Sequence, residues 1–442
     1  MKKEFMKIHV TDNVAVALRD LKRGTVCACE GISLIVRDDI PFGHKIALKN
    51  FAKGENVIKY GYPIGHVTRP VAIGEHIHSQ NLVTNLDGIQ EYGYQPEKSN
   101  TVLSKRLEEE RKGYHFWGYR RKNGKVGIRN EIWIIPLVGC VNKTAENLAR
   151  RANREYAGMT DGFLALTHNM GCSQLGEDLE RTQKILSGLV RHPNAGGVLV
   201  LSLGCENNQL KSFREILGDI TDQRIAFLTV QDVEDEYEEG MKILEKLVEE
   251  TAKDHREQVG VNELVIGFKC GGSDAFSGII ANPLCGRINE RVVSLGGTGI
   301  LTEVPEMFGA EQILMNRASS EETFHQIVRL INQYKRYFQK YGQVIYENPS
   351  PGNKEGGITT LEEKSLGCVQ KGGKVFVEGT LDYGEHPGKK GFYLLNGPGN
   401  DMVSCTNLAS SGAQMILFTT GRGTPFGSVV PTVKIASNTV LR

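Results

Sequence analysis

The sequence predicts a multidomain α/β protein. A small N-terminal β domain comes first, then two α/β units with mostly parallel sheets. Three observations carry that prediction. The chain has 442 residues, enough for two or three separate cores. Its first stretch consists of short apolar segments broken by Gly and Asp. From residue 114 onward, strand-length apolar runs alternate with segments of helical period, and the runs are continuous, as in strands covered on both faces.

Residues 1–95 make up the β domain, with TVCACEGISLIVRDD, KIALKNFA, NVIKYGYPIGHVT and GEHIHSQNLVT as its strand material. Residues 96–113, PEKSNTVLSKRLEEERKG, are polar and charged and are predicted to be a linker. Residues 114–342 form the central α/β domain. Its strands are IWIIPLV (132–138), GFLALTH (162–168), GGVLVLSLG (196–204), RIAFLTV (224–230), LVIGFKC (264–270) and GGTGILTEV (296–304). TAENLARRANREYAG, GEDLERTQKILSGLVRH and a long acidic segment after 231 are the helices between them, and EETFHQIVRLINQYKRYFQKYG (321–342) closes the unit. Residues 350–442 form the C-terminal α/β domain, with strands KVFVEGTL, GFYLLNG and AQMILFTTG and a short helix at MVSCTNLASSG.

Composition narrows the functional classes. Hydrophobic residues at 40% and charged residues at 24% are ordinary soluble proportions. No apolar run approaches the ~18 residues of a membrane helix, and MKKEFMKIHVTDN lacks the apolar segment of a secretory signal. A cytoplasmic chain with no membrane partner is the expectation. Lys plus Arg number 53 against 52 Asp plus Glu, so nothing draws the chain to nucleic acid. Nine widely spaced cysteines without a CxxC pair argue against a disulfide scaffold or a zinc ribbon.

In an open parallel sheet, ligands bind beyond the carboxyl ends of the strands. Here those ends read Gly139-Cys140-Val141-Asn142, His168-Asn169-Met170-Gly171-Cys172-Ser173, Gly204-Cys205-Glu206-Asn207-Asn208, Cys270-Gly271-Gly272-Ser273-Asp274 and Glu303-Val304-Pro305-Glu306. Ordinary strand-to-helix loops also use Gly and capping Ser, Asn or Asp. They do not account for Cys at four of six strand ends, since Cys is scarce and mostly buried. The four thiols suit pocket lining, soft metal ligation or, despite their wide spacing, an iron–sulfur cluster.

Two Gly loops follow strands of the last unit. Asn396-Gly397-Pro398-Gly399-Asn400-Asp401 precedes a helix and offers amides to an anion. In Thr420-Gly421-Arg422-Gly423-Thr424, Arg422 is placed to grip a carboxylate. In the β domain, Glu75, His76 and His78 fall in VAIGEHIHSQN. Residues two apart on a strand share a face, so His76 and His78 can serve one metal ion while Glu75 turns away. His44 and His66 lie in the same small domain, and imidazole suits Zn, Fe(II) or Mn(II).

These residues also carry a resemblance. GHKIAL, NVIKYGYPIG, GEHIH, NEIWIIPLVGCVN, GCSQLGED, VRHPNAGGVLVLSLGCENNQ, CGGSDAFSGI, LTEVPEMFGAEQ, ENPSPGNKEGGITTLEEKSLGC and FTTGRGTPFG together are similar to the altronate/galactarate hydro-lyase family, from about residue 6 to the end. The resemblance implies a SAF-type β-clip for the N-terminal domain. It also implies dehydration of D-altronate to 2-dehydro-3-deoxy-D-gluconate in hexuronate catabolism. Dependence on Fe(II) or Mn(II), rather than on an iron–sulfur cluster, is implied as well. GGITTLEEKSLGC and GEHIH follow the altronate branch more closely than the galactarate branch. The family pattern runs on past the SN-x-x-L stretch, so the last domain is expected to be cut short at Arg442.

Such a dehydration needs a base for the proton α to the carboxylate, stabilisation of the enediolate-like charge, and an acid for the departing hydroxyl. The expected metal ligands are His76 and His78, with His44 and Cys205 as further candidates. Arg422, Gly421, Gly423 and Thr424, with Asn207 and Ser273, are expected to bind substrate. His168 is the favoured base. Lys364 is the second choice and requires desolvation to lower its pKa; its plain alternative is a helix-surface ion pair with Glu362 or Glu363. Asp274, Glu206 and Glu303 are candidate acids. Competing readings are a galactarate or related sugar-acid dehydratase, an iron–sulfur dehydratase using Cys140, Cys172, Cys205 or Cys270, and an inactive sugar-acid-binding fragment. A homo-oligomer is compatible with all of them.

Overall fold

A computed structural model describes residues 3–29, 31–97, 113–218 and 222–441. The linker predicted at 96–113 lies almost wholly outside the described residues. The N-terminal domain is built of short antiparallel strands. Phe5–Met6, Val14–Ala17, Lys45–Ala47 and His76–Ile77 form one sheet, Asn56–Lys59, Tyr62–Val67 and Leu82–Val83 another, and Val26–Cys29 pairs with Ile32–Ile35. Left-handed Gly24, Gly43, Gly54 and Gly74 sit at turns between these strands, a conformation that L side chains rarely adopt.

Two parallel sheets follow. The first contains β1 (Glu131–Pro136), β2 (Phe163–Ala165), β3 (Ala195–Ser202) and β4 (Ile225–Thr229) in the order β2-β1-β3-β4. The second contains β5 (Val265–Cys270), β6 (Thr298–Leu301), β7 (Val377–Leu381), β8 (Gly391–Leu395), β9 (Met415–Thr420) and β10 (Thr432–Ala436) in the order β7-β8-β6-β5-β9-β10. The continuous apolar strands are explained by their two covered faces. On β1, Ile132 and Ile134 join the core under helices Asn142–Glu155 and Glu236–Thr251, while Trp133 and Ile135 face helix Glu177–Val190. That second core continues through Ile300, Ile416 and Phe418 of the larger sheet, so the two α/β units share apolar packing.

Sheet membership corrects the organisation expected from sequence. The sequence places the runs at 264–270 and 296–304 in the central domain, with a break at 342–350. They are β5 and β6, and they form the centre of the C-terminal sheet. Edge strand β10 and the small antiparallel sheet of Val126–Gly127, His115–Arg120 and Glu257–Gly260 were not anticipated. A polar edge strand such as TVKIA carries little apolar signal.

The β domain is fixed to the C-terminal sheet by a buried charge triad. Lys45 Nζ lies 2.8 Å and Lys59 Nζ 2.6 Å from the Glu363 carboxylate, all three side chains being essentially inaccessible. Burial alone would raise the Glu363 pKa, but the two ammonium groups bring it down to about 2. The lysines share one carboxylate unequally: Lys59 is raised, whereas burial takes Lys45 down to about 8. Thr84 and the Asn85 amide donate to Glu362 beside this triad, and Phe42 stacks on Phe276 at 4.6 Å. Apolar residues from both domains complete a common core. Glu363→Gln is expected to cost about 3–5 kcal/mol, since it leaves two buried ammonium groups facing one neutral amide. Urea denaturation would show this as a lower midpoint.

Candidate active site

Both parallel sheets have a point where successive connections leave in opposite directions, and such a crevice is where open α/β sheets bind ligands. In the C-terminal sheet it lies between β5 and β9. The loop after β5 carries Ser273 and Asp274; the loop after β9 carries Gly421 to Thr424. Gly421 N and Arg422 N both donate to Gly272 O, at 3.0 and 2.9 Å, locking the two loops together. Asp274 is buried and saturated with donors. Its Oδ1 accepts from Ser277 N (2.8 Å), Ser277 Oγ (3.0 Å) and Ser437 Oγ (2.8 Å), and its Oδ2 from Asn438 Nδ2 (3.1 Å). Donors on every side fix this carboxylate in place, which suits an organising group rather than the acid proposed for it. Gly421 has no room for a side chain, because a Cβ there would collide with the Asp274 carboxyl group.

The histidines meet this crevice from the β domain. Rings of His44, His76 and His78 lie 4.8 to 5.5 Å apart between centroids. His44 Nδ1 is 3.0 Å from His76 Nε2. His44 Nε2 donates to or faces Glu355 O at 3.1 Å, and His78 Nε2 faces Lys354 O at 2.9 Å. Those carbonyls end the short helix Pro351–Glu355, whose Asn353 Nδ2 donates to Ser273 O at 2.8 Å. Arg422 reaches the same helix, 3.1 Å from Glu355 Oε2 and 3.2 Å from Gly352 O. Glu75 turns away to Arg69, and His66 pairs with Asn85 outside the trio.

Burial, then the neighbouring imidazoles and Lys45, pushes His76 down to about 3. Burial, Lys45 and His44 push His78 down to about 4. His44 is lowered too, mainly by burial. All three are therefore neutral at physiological pH, the state in which imidazole binds a metal.

A second cluster lies buried beneath the ends of β5 and β6. Glu306 Oε2 is 3.1 Å from both Cys270 Sγ and Cys368 Sγ, which are 3.6 Å apart. Lys364 pairs with Glu306 Oε1 at 2.8 Å, and Lys371 Nζ lies 2.9 Å from Cys270 Sγ and 3.1 Å from Glu303. Lys269 pairs with Glu303 and, at 2.9 Å, with Asp401. Among the described residues this is the group of His, Cys, Asp or Glu whose donor atoms all converge within 4.8 Å; the three imidazoles do not converge so closely. Its space between donors is already balanced by ammonium groups, so a cation would enter against three lysines.

Several sequence expectations change here. His168 is a poor base: its Nε2 faces Pro136 O at 2.9 Å and its Nδ1 accepts from Met170 N, so both nitrogens hold the loop after β2. Lys364 is neither a depressed base nor a surface lysine; it is buried, and although burial opposes its charge, Glu306 raises its pKa above normal. Glu303 is committed to two lysines, and Glu206 caps its own loop through Ser202 Oγ, Leu203 N and Gly204 N. Asn207 and Cys205 top the other sheet: Asn207 accepts from Ser173 N, and Cys205 Sγ accepts from Gln231. Neither joins the histidines. The 396–401 loop is no anion site either, since Asn400 caps the helix and Asp401 is paired to Lys269. Glu306, Cys368, Lys371 and Asn353 were missed. Cys368 and Asn353 lay in the LEEKSLGC and PSPGNKE strings and Glu306 in the 303–306 strand end, but nothing local gave them or Lys371 a role, because their partners are distant in sequence.

A cleft of about 980 Å³ opens elsewhere, between helices Glu177–Val190 and Glu321–Lys340 above β7 and β8. Arg181, Lys184, Asn348 and Asp382 line it, but no imidazole does.

Family models match three consecutive stretches. These are the altronate/galactarate dehydratase SAF domain over residues 3–85, the second domain of D-galactarate dehydratase/altronate hydrolase over 118–252, and the C-terminal domain of D-galactarate/altronate dehydratase over 261–442. The chain belongs to the altronate/galactarate dehydratase family. Within that family it is 53% identical over 441 residues to the altronate dehydratase of Bacillus subtilis (strain 168), covering 99% of this chain and 88% of that protein. It is 50% identical over 440 residues to the altronate dehydratase of Escherichia coli (strain K12), with the same two shares. The galactarate dehydratase (L-threo-forming) of E. coli K12 is 33% identical over 457 residues, covering 99% and 85%. The SAF match bears out the β-clip expected of the N-terminal domain. No helix among the described residues is long and apolar enough to cross a membrane.

Two outcomes follow from this geometry. Gly421→Ala should displace Asp274 and abolish turnover while far-UV circular dichroism stays native. The folded-state values of His76 and His78 lie below the ~6.5 of a free imidazole, so the unfolded chain takes up protons first as pH falls. Their contribution to stability is full above about pH 6.5 and is lost progressively toward the folded values of about 4 and about 3. His76→Asn with His78→Asn should flatten that part of the pH dependence of the urea midpoint.

Proposed function

We infer that the chain is a hydro-lyase that dehydrates D-altronate to 2-dehydro-3-deoxy-D-gluconate in hexuronate catabolism, with a divalent ion, Fe(II) or Mn(II), held by His44, His76 and His78. The observation that carries the reaction is identity of about half the residues with altronate dehydratases across nearly the whole chain, against 33% with a galactarate dehydratase.

The donor set supports the metal. Three neutral imidazoles are borderline ligands suited to Fe(II). The 3.0 Å between His44 Nδ1 and His76 Nε2 is close to the spacing of adjacent ligands on one ion with bonds of about 2.1 Å. The donor atoms of the three rings do not all lie within 4.8 Å of one another, and His78 has both nitrogens committed, to Ser79 Oγ and Lys354 O, so its ring would turn and an ion would replace one of those partners. When bound, a divalent ion draws charge from the enediolate and polarises the hydroxyl that leaves.

The chain's own groups do the rest. The Arg422 guanidinium, exposed on one side, exchanges Glu355 for the substrate carboxylate. Asp274 holds the 420–424 loop, so that Arg422 presents a fixed direction. The stacked Phe42–Phe276 pair and the Gly43 and Gly357 backbones close the domain junction next to His44.

Arg422→Ala should lower kcat/KM for altronate by roughly 10- to 100-fold, the worth of charge-assisted hydrogen bonds to a carboxylate. An anaerobic assay with added Fe(II) across altronate, galactarate and glucarate tests the substrate, and altronate should be turned over fastest. In the same assay His76→Ala with His78→Ala should lose bound metal and at least about 100-fold in turnover. Unchanged metal content and turnover would remove the imidazole assignment.

A further inference from the structure

Cys270 and Cys368 are 98 residues apart in sequence, yet their sulphurs lie 3.6 Å apart in the fold. Cys270 ends β5, and Cys368 ends the helix Leu361–Cys368. Both thiols are buried. Their surroundings are charged rather than apolar. Glu306 Oε2 is 3.1 Å from each sulphur, and Lys371 Nζ is 2.9 Å from Cys270 Sγ. An ammonium group beside a sulphur supports its attack as a nucleophile, and a carboxylate within hydrogen-bond reach can take its proton. Neither thiol has a part in the dehydration.

A disulfide holds its sulphurs about 2.05 Å apart, so this pair has to close by roughly 1.5 Å. The pull falls on the loop that positions Arg422. Cys270 N donates to Glu303 Oε2 at 3.0 Å, and Gly271 and Gly272 follow directly. Gly272 O is the acceptor that holds Gly421 N and Arg422 N. A misplacement of about 1 Å in a group that orients substrate can cost ~100-fold in rate.

We propose that Cys270 and Cys368 are an oxidative modification site: a peroxide joins them in a reversible disulfide, and closing that bond displaces the Arg422 loop and stops turnover. The loss of turnover rests on the dehydratase reading of the site; formation of the bond does not.

The chemistry balances within the cluster. Glu306 takes the Cys270 proton, and the Cys270 sulphur attacks one oxygen of hydrogen peroxide. The S–O bond forms, the O–O bond breaks, and the departing hydroxide collects the proton from Glu306 as water. Cys368 then passes its own proton to Glu306 and attacks the Cys270 sulphur. The S–S bond forms, the S–O bond breaks, and a second water leaves. Two thiols lose two electrons and one peroxide gains them. The oxidant has to be small. Cys368 borders a space of about 10 Å³, room for a water-sized molecule. A small peroxide enters with slight opening, whereas oxidised glutathione is too bulky.

The test uses the full chain without metal, because Fe(II) itself reacts with peroxide. After hydrogen peroxide and then catalase, free thiols are alkylated in denaturant and the peptides are mapped by mass. A cross-linked peptide joining Cys270 to Cys368 should appear, two hydrogens lighter than the reduced pair, and dithiothreitol should remove it. Oxidised glutathione should not produce it. The exposed Cys140, Cys172 and Cys205 also oxidise, so the map is repeated with all three changed to Ser, and the cross-link should persist. Anaerobic addition of Fe(II) after catalase should show altronate turnover reduced by about 100-fold, recovering with dithiothreitol. Cys368→Ser, verified as folded by far-UV circular dichroism, should keep its turnover through the same treatment. The site is overturned if the map shows Cys270 and Cys368 unjoined after peroxide. The effect on turnover is overturned if the cross-linked chain is as active as the reduced one. A reduced chain with no altronate turnover would instead overturn the dehydratase reading and leave the peptide map to judge the bond.

Discussion

The Glu363 carboxylate is the interaction on which the candidate site depends. It belongs to the C-terminal unit, yet both of its ammonium partners, Lys45 and Lys59, come from the β domain. A buried carboxylate with two buried cations has one favourable arrangement, because any displacement leaves a charge unpaired in a low-dielectric interior. Lys45 follows His44 directly, and the strand Lys45–Ala47 pairs with His76–Ile77. Fixing Lys45 therefore fixes two of the three imidazoles against the Pro351–Glu355 helix. The same lysine helps to keep those imidazoles neutral. One electrostatic contact thus fixes the position of the candidate ligands and adds to the burial that keeps them neutral.

A second network of alternating charge runs beneath the strand ends, from Asp401 through Lys269, Glu303 and Lys371 to Cys270, Cys368, Glu306 and Lys364. Its residues look catalytic in isolation, since buried Lys, Glu and Cys are uncommon. Their partners say otherwise. Each lysine has a carboxylate neighbour that raises its pKa, so none is poised to take a proton. Glu303 is held in a left-handed backbone conformation, a strain kept by its two ion pairs. The network holds the loops after β5 and β6 in place.

The two parallel sheets repeat one topology with different furnishings. Each has a first strand flanked on either side by later ones, hence a crevice at its carboxyl end. In the C-terminal sheet that crevice carries Asp274 and Arg422 and is met by imidazoles from the β domain. In the other it carries exposed thiols.

The sequence by itself determined the local elements. Continuous apolar runs marked nine of the ten parallel strands, and the two-residue spacing of His76 and His78 placed them on one face, because side-chain direction along a strand depends only on the backbone. It also marked Arg422 between two glycines and the cysteines at strand ends. Tertiary structure decided which strands share a sheet, moving β5 and β6 into the C-terminal unit, since hydrogen bonding between strands is non-local and leaves no period in the sequence. It separated Cys270, buried against Glu306, from the three exposed thiols that had seemed its equals. It also took His168 and Lys364 out of the base role. Whether a titratable group is free or spent depends on the partners packed around it, and the Pro136 carbonyl and the Glu306 carboxylate lie 32 and 58 residues away.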